Sequence, residues 1–254
     1  MTFMQIQTQG NSTTALIVGA SQGIGLEFVR QFIQNNRAQR IYATYRNPQA
    51  EILTISDPRL RCLQMDITEE AQIANVVEEI KTETSVLNYV INCVGVLYEG
   101  AMQPEKSLRQ LNSEQLLRYF QVNSIGAVLL AKHIQPLLKH QQRSIFATIS
   151  AKVGSISDNH LGGWYGYRAS KAALNMFMRT TALEYKRSCP RAIAVTLHPG
   201  TTDTQLSKPF QRNVPPEKLF SVERTVQQLL MVIDQLKESD SGEFFSWDGD
   251  RLPW

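Results

Sequence analysis

Tyr167 and Lys171 stand four residues apart in the segment YRASK. Residues at this spacing share one face of a helix, so the phenol and the ammonium group would lie close together. A neighbouring cation favours the phenolate and lowers the pKa of a tyrosine, which is ordinarily about 10. Such a tyrosine can pass a proton to or from an alcohol near neutral pH. The pair therefore indicates acid–base chemistry at an oxygen atom, although the same spacing also occurs on the surface of ordinary helices.

A glycine-rich segment near the start of the chain, GASQGIG at residues 19–25, has the composition of a phosphate cradle. Glycine lets the backbone turn tightly and approach a diphosphate, and the first turn of a helix offers free N–H groups to an anion. The spacing is G-x-x-x-G-x-G, not the commoner G-x-G-x-x-G. We expect Gly19, Ser21, Gln22, Gly23 and Ile24 to contact a dinucleotide. The alternative use of such glycines is tight packing of the turn.

The next apolar segment ends in ATYRN at residues 43–47 and carries no acidic residue. An Asp or Glu at that place would hydrogen-bond the ribose 2′-hydroxyl of NAD. Arg46 offers instead a guanidinium fork that matches a 2′-phosphate. We therefore expect NADP(H), with an ordinary solvated Arg46 as the alternative. Gln22 is neutral, so the glycine segment adds no second cation.

Composition excludes several classes of protein. The chain has 254 residues, of which 43% are hydrophobic and 19% charged, with a net charge of +3. These values are typical of a soluble globular protein and too weakly basic to indicate nucleic acid. Three scattered cysteines fit a reduced, cytoplasmic protein and show no metal spacing. The first ten residues do not resemble a signal peptide, and no apolar run approaches the ~20 residues of a membrane span.

Short apolar segments alternate with longer helical patterns along the whole chain. Strands are predicted at residues 14–19, 40–45, 61–65, 88–92, 144–150, 192–197 and 242–246. Helices are predicted at residues 24–34, 68–82, 112–139, 164–187 and 222–236, with Thr68 and Asn112 as caps and a loop at 199–220.

Most of these strands are unbroken apolar runs, as expected for strands that are buried on both faces. The order predicts an α/β fold: a Rossmann-like, doubly wound sheet of seven parallel strands with helices on both faces. We expect one domain over residues 1–254. Its nucleotide-binding half would span about 14–150, and the catalytic helix and substrate loop about 151–254. Ligands in such sheets bind where the strands end.

With these motifs in this order, the sequence resembles the short-chain dehydrogenase/reductase family over almost its whole length. The glycine segment and the Tyr167–Lys171 pair match family motifs. The resemblance also implies roles for residues elsewhere in the chain. Cofactor contacts are implied for Asp66, Ile67, Asn92, Gly95, Pro199, Gly200 and Thr202. Asn123 matches the family asparagine that holds a water linking the active-site lysine to solvent.

The segments around Tyr167 narrow the resemblance to a subgroup. GSI at residues 154–156, GGWYGYRASK at 162–171 and WDG at 247–249 are similar to the C-factor-like and sniffer-like carbonyl reductases. This resemblance implies hydride transfer between NADP(H) and a small-molecule carbonyl or alcohol substrate. Tyr167 would be the acid–base group, assisted by Lys171 and Asn123. Pairing through long helices would give a homodimer or homotetramer. Trp164 and Phe210 are candidate apolar walls for the substrate, with plain packing as the alternative.

One position departs from the family pattern. The family places a serine that hydrogen-bonds the substrate carbonyl at the end of the fifth strand, where this chain has Ala151. Ser150, re-aimed by a bulge, or Ser155 could replace it, or Tyr167 could orient the carbonyl without a serine. The substitution also suggests a second hypothesis, an NADP-binding sensor or signalling protein with little turnover.

Overall fold

Seven parallel strands form one sheet in the computed structural model, which describes residues 13–254. The strands of this sheet are β1 (Thr14–Val18), β2 (Arg40–Tyr45), β3 (Leu60–Gln64), β4 (Tyr89–Asn92), β5 (Ser144–Ile149), β6 (Ala192–His198) and β9 (Phe244–Ser246). Two short strands, β7 (Thr201–Thr202) and β8 (Leu219–Phe220), form a separate pair. Their order across the sheet is β3-β2-β1-β4-β5-β6-β9. The predicted fold class is confirmed. The prediction about the first ten residues lies outside the described part of the chain.

The order reverses between β1 and β4, which are neighbours in the sheet. The chain builds outward from β1 to β3, then returns to the other side of β1. This reversal leaves a crevice at the carboxyl ends of the central strands, because the helices that follow them cross on opposite faces. All residues of β1 and β5 are buried, as the unbroken apolar segments predicted.

Helices cover both faces of the sheet. They are α1 (Gly23–Gln34), α2 (Glu70–Lys81), α3 (Ser113–Phe120), α4 (Gly126–Leu138), α5 (Tyr165–Ser188) and α6 (Val222–Gln235). Helices α1 and α6 pack on one face and α2, α4 and α5 on the other, which gives two apolar cores with the sheet between them.

The predicted helix over 112–139 is interrupted. A π-helical segment, Gln121–Ile125, separates α3 from α4. Such segments widen the helix locally and are frequent at functional sites. The Asn112 cap is confirmed, since its side chain accepts a hydrogen bond from the Gln115 N–H at 3.1 Å. The Thr68 cap is wrong: its hydroxyl donates to Asp66, and the residue before α2 is Glu69.

The predicted loop at 199–220 has internal structure. Strands β7 and β8 pair in parallel and join its two ends. Between them lie the short 3₁₀ turns Lys208–Asn213 and Pro216–Lys218. The pair fixes both ends of the segment beside the crevice.

Candidate active site

A cavity of about 1080 Å³ opens at the carboxyl ends of the central strands. Most of the predicted site residues line it: Gly19, Ser21, Gln22, Gly23, Ile24, Arg46, Asp66, Ile67, Gly95, Tyr167, Lys171, Pro199, Gly200 and Thr202. Asn92 and Asn123 lie behind this lining and act on it through hydrogen bonds.

The glycine segment forms an open cradle between β1 and α1. Gly19 and Gly23 have φ values of +80° and +56°, which favour glycine. A Cβ atom at Gly19 would lie 2.7 Å from a methyl group of Val94, and one at Gly25 would collide with the Gly19 carbonyl oxygen. The residue before α1, Gln22, makes no capping hydrogen bond with its side chain in the described part of the chain, so the N–H groups of the first turn stay available. The cradle therefore fits a diphosphate group.

Arg46 lines the cavity with its side chain exposed. Its guanidinium group is 3.4 Å from a Glu99 carboxylate oxygen and 3.8 Å from Asp66. Glu99 is itself held by Arg118, whose Nε and Nη2 donate at 2.6 and 3.0 Å. These hydrogen bonds keep the pKa of Glu99 below its ordinary value. A phosphate at Arg46 would thus meet two carboxylates as well as a cation.

Tyr167 and Lys171 lie on the first two turns of α5, as their spacing predicted. The Lys171 ammonium is 6.0 Å from the centre of the Tyr167 ring and donates to the Ile149 carbonyl oxygen at 2.9 Å. Burial lowers the pKa of Lys171 to about 8. Burial also raises the pKa of Tyr167, which is the opposite of the shift that we expected from the cation. Both groups therefore favour their neutral forms more strongly than they would in water.

Asn123 projects from the π-helical segment towards the loop after β4. Its Oδ1 accepts from the Val96 N–H at 2.7 Å, and its Nδ2 donates to the Val96 carbonyl at 2.9 Å and to Ser170 Oγ at 3.0 Å. Gly95 is so close that a Cβ there would lie 3.4 Å from Lys171 Nζ. Asn123 thus ties this loop to α5 directly behind the lysine.

Asn92 and Thr202 also make contacts within the protein. Asn92 Oδ1 accepts from the Val94 N–H at 3.1 Å and shapes the turn after β4. The Thr202 hydroxyl lies 2.9 Å from the Thr225 hydroxyl. These bonds position the cavity wall from behind.

Comparison with known proteins assigns the chain to a family. A model described as short chain dehydrogenase matches residues 13–215. The chain belongs to the short-chain dehydrogenase family. Its members are oxidoreductases, and the fold and site described above agree with this assignment.

Solved structures of family members are close to this one. The NADPH-bound carbonyl reductase from chicken fatty liver is 27% identical, with a TM-score of 0.85 over 96% of this chain and 94% of that one. Carbonyl reductase Sniffer of D. melanogaster is 26% identical, with a TM-score of 0.83 over 96% of this chain and 99% of that one.

A sequence relative supports the same subgroup. The C-signal protein of Myxococcus xanthus is 31% identical over 149 residues, or 58% of this chain and 84% of that protein. The predicted subgroup resemblance is confirmed.

This short-chain dehydrogenase has no serine hydroxyl facing Tyr167 from the end of β5. Ser150 continues the regular β5–β6 pairing through its N–H, which donates to the Leu197 carbonyl at 2.8 Å, so no bulge re-aims it. Its buried hydroxyl donates to Asn175 Oδ1 at 2.7 Å. The Ser155 hydroxyl is also buried and accepts from the Asp158 N–H at 3.2 Å. Ala151 packs among the apolar residues around Tyr167.

Aromatic residues form the wall of the cavity beside Tyr167. The Trp164 ring centre is 6.1 Å from that of Tyr167 and 5.2 Å from that of Phe210. Tyr119 is fully buried outside the cavity lining and packs edge-on against Tyr167, with the ring centres 6.2 Å apart. Trp164 and Phe210 line the cavity, and their role as a substrate wall stays a prediction. The contact of Tyr119 with Tyr167 gave no motif signal and was missed.

His198 lines the cavity at the end of β6. Burial lowers its pKa to about 4, so the imidazole is neutral, and its Nδ1 has no hydrogen-bond partner among the described residues. Within residues 13–254 no cluster of three or more His, Cys, Asp or Glu could hold a metal ion. No helix in that range has the length and apolar character to cross a membrane.

Proposed function

We propose that this short-chain dehydrogenase is an NADP(H)-dependent carbonyl reductase, or an alcohol dehydrogenase when it works in the reverse direction. The observation that carries the proposal is that Tyr167 and Lys171 line the same cavity as the glycine cradle. A dinucleotide held by the cradle and a substrate held by the phenol would therefore share one space.

The cradle and Arg46 support NADP(H) as the cofactor. The cradle has room for a diphosphate because its glycines carry no Cβ, and Arg46 matches a 2′-phosphate. The NADPH-bound chicken carbonyl reductase, which shares the fold over nearly the whole chain, adds to this support. We propose further cofactor contacts at residues that line the cavity, namely Ser21, Gln22, Ile24, Asp66, Ile67, Gly95, Pro199, Gly200 and Thr202. A contact is also proposed at Asn92, which lies behind this lining and holds the turn at Val94.

When bound, NADPH supplies a hydride to the carbonyl carbon. The Tyr167 hydroxyl donates its proton to the carbonyl oxygen as negative charge develops there. Lys171, with a pKa of about 8, is largely protonated at neutral pH and stabilises the phenolate that remains. Asn123 hydrogen-bonds both the loop at Val96 and Ser170 of α5, and so holds the two together next to Lys171. The aromatic wall limits the access of water.

The shape of the wall indicates the class of substrate. Trp164 and Phe210 pack against each other with tilted rings in the cavity wall, and Ala151 and Leu206 extend the same apolar surface. A carbonyl compound with a bulky apolar or aromatic substituent fits this lining better than a sugar or a small hydroxy acid, because the substituent removes apolar surface from water.

The test is NADPH oxidation by the purified protein with a panel of aldehydes, ketones and quinones. Tyr167→Phe removes the proton donor and is expected to abolish turnover. Tyr165→Phe is the matched control, because Tyr165 lies on the same helix with its side chain exposed. Turnover that survives in Tyr167→Phe would refute the proposed mechanism.

A second candidate is an NADP-binding sensor or signalling protein with little turnover. Ala151 in place of the family serine and the similarity to the C-signal protein favour it. Tight NADPH binding without oxidation on any substrate would support this candidate, and a biological role that Tyr167→Phe leaves intact would support it further.

We also propose a homodimer or homotetramer of single-domain subunits in the cytoplasm. Exposed apolar side chains on the long helices support self-association, among them Leu117, Met176 and Leu183. The three cysteines are free thiols, which fits a reducing compartment. Light scattering coupled to gel filtration would measure the assembly, and a monomeric mass at micromolar concentration would exclude it.

A further inference from the structure

The turn that leads into α5 has an unusual backbone. Gly162, Gly163 and Trp164 have φ values of +66°, +66° and +53°. Tryptophan rarely adopts this left-handed conformation, and it persists only where neighbouring groups hold it. Trp164 is also the residue before α5, and its side chain makes no capping hydrogen bond. The helix that carries Tyr167 therefore begins without a cap from its own segment.

Glu105 supplies the missing acceptors from a distant loop. Its backbone oxygen accepts from the Trp164 N–H at 2.5 Å, and its carboxylate accepts from the Gly166 N–H at 3.1 Å. The other carboxylate oxygen accepts from Gln115 Nε2 at 2.9 Å, which ties the arrangement to α3. Only 2% of Glu105 is exposed. A negative charge at the start of a helix also interacts favourably with the helix dipole.

Gly166 makes this approach possible. A Cβ at Gly166 would collide with the Tyr119 ring and lie 3.0 Å from Glu105 Oε1. The glycine thus lets a carboxylate and an aromatic ring reach the first turn of α5 together. The Tyr119 hydroxyl in turn donates to the Leu97 carbonyl oxygen at 2.8 Å, which fixes the ring.

The residues that Glu105 holds flank the proposed proton donor. Trp164 and Gly166 lie three residues and one residue before Tyr167, and the Trp164 ring packs on both Tyr167 and Phe210. We infer that Glu105 is a positioning residue: it fixes the first turn of α5, and so sets the direction of the Tyr167 hydroxyl and the place of the Trp164 wall. This inference rests on the proposed reductase function for its catalytic consequence. Glu105 itself touches no reacting atom.

The test uses Glu105→Gln and Glu105→Ala in the full chain, with Glu114→Gln as the control. Glu114 is an exposed carboxylate in the first turn of α3, so its substitution removes the same charge nearby without touching α5. Glu105→Gln keeps the size of the side chain and one acceptor, which guards against a simple failure to fold. We expect kcat with a fixed carbonyl substrate to fall about tenfold or more, because small misplacements of a reacting group lower rates strongly. The Kd for NADPH should change less than about twofold, because the glycine cradle and Arg46 make no contact with Glu105.

Hydrogen exchange followed by mass spectrometry gives a readout that does not depend on turnover. The Glu105 variants should exchange the amides of residues 164–168 faster, while peptides from β1 and α1 keep their wild-type rates. Unchanged exchange at 164–168 would overturn the inference, as would faster exchange there with an unchanged kcat. The inference would also be overturned if kcat fell together with weaker NADPH binding and faster exchange throughout the protein. That result would mean that Glu105 stabilises the whole fold and does not specifically position the first turn of α5. If the wild type turns over no carbonyl, the proposed function fails, and the exchange at 164–168 still decides whether Glu105 fixes the turn.

Discussion

Ala151→Ser should make this short-chain dehydrogenase a faster reductase. Ala151 has an extended backbone, with φ −149° and ψ 144°, and packs in the cluster around Tyr167. A serine fits that backbone without strain and adds one oxygen atom at the edge of a cavity. Its hydroxyl would donate to the substrate oxygen beside the phenol of Tyr167.

The expected gain follows from what such donors contribute. Removal of one donor to a developing oxyanion lowers kcat by ~10²–10³ in other enzymes. Ala151 is only half-buried, so water weakens the new hydrogen bond. We therefore expect kcat to rise by roughly 10- to 100-fold, with less than about 1 kcal/mol change in the free energy of unfolding.

Ser150→Ala is the matched control, since it changes the neighbouring residue and removes a hydroxyl. That hydroxyl donates to Asn175, whose buried Nδ2 has no hydrogen-bond partner within residues 13–254. Its loss should cost about 1–3 kcal/mol of stability and leave kcat unchanged. The assay is NADPH oxidation under saturating cofactor, with urea unfolding in parallel. The reasoning fails if Ser150→Ala abolishes turnover in a folded protein, or if Ala151→Ser binds NADPH normally and reacts no faster.

Three further predictions concern the cofactor end and the buried lysine. Glu99→Gln should tighten NADPH binding by about three- to tenfold, because a carboxylate no longer competes for Arg46; calorimetry with NADH as the control should show no gain for NADH and a smaller gain for NADPH at high salt. Gly25→Ala should weaken NADPH binding at least about tenfold and lower the Tm, because the added methyl displaces Gly19 from the cradle. Titration of the variant with NADPH, followed by cofactor fluorescence, measures the binding, and a wild-type Kd would contradict the cradle geometry. Burial lowers the pKa of Lys171 from 10.5 to about 8, so Lys171 takes up a proton on unfolding at any pH between these two values. The free energy of unfolding of the wild type, relative to that of Lys171→Met, should therefore rise by up to about 3 kcal/mol from pH 8 to pH 10.5. Urea unfolding of both proteins at several pH values measures this difference. A difference that does not change with pH would show that folding does not lower the pKa of Lys171.

The sequence predicted the sheet well, because buried parallel strands leave unbroken apolar runs. β2 begins and ends at the predicted residues, β3 differs by one residue at each end, and the other five strands of the sheet differ by one or two residues at one end only. That the candidate site residues share one cavity could be predicted for a related reason. Tyr167, Lys171 and the glycine segment are local motifs, and a parallel sheet brings the ends of its strands to one edge.

Contacts that join distant segments could not be predicted. Glu105 lies in a segment with no motif, and nothing in its neighbours indicates that its carboxylate reaches α5. The π-helical segment at Asn123 was read as part of one long helix, because apolar spacing does not distinguish a single widened turn. Thr68 looked like a cap by residue type, but Asp66 takes its hydroxyl hydrogen. In each instance the outcome depends on how the segments pack in the folded protein, which local sequence patterns do not show.

The short pair β7–β8 has a consequence for how new substrate preferences could arise. Thr201 and Thr202 pair with Leu219 and Phe220, so residues 203–218 form a loop whose two ends are already closed. Doubling the length of such a loop costs only about 0.6 kcal/mol of closure entropy. Insertions, deletions or whole transplanted loops between Thr202 and Leu219 can therefore be tolerated while the cradle and α5 stay as they are. If the proposed function holds, the segment that contacts the substrate can change in length and sequence, while the residues proposed to transfer hydride and proton keep their positions.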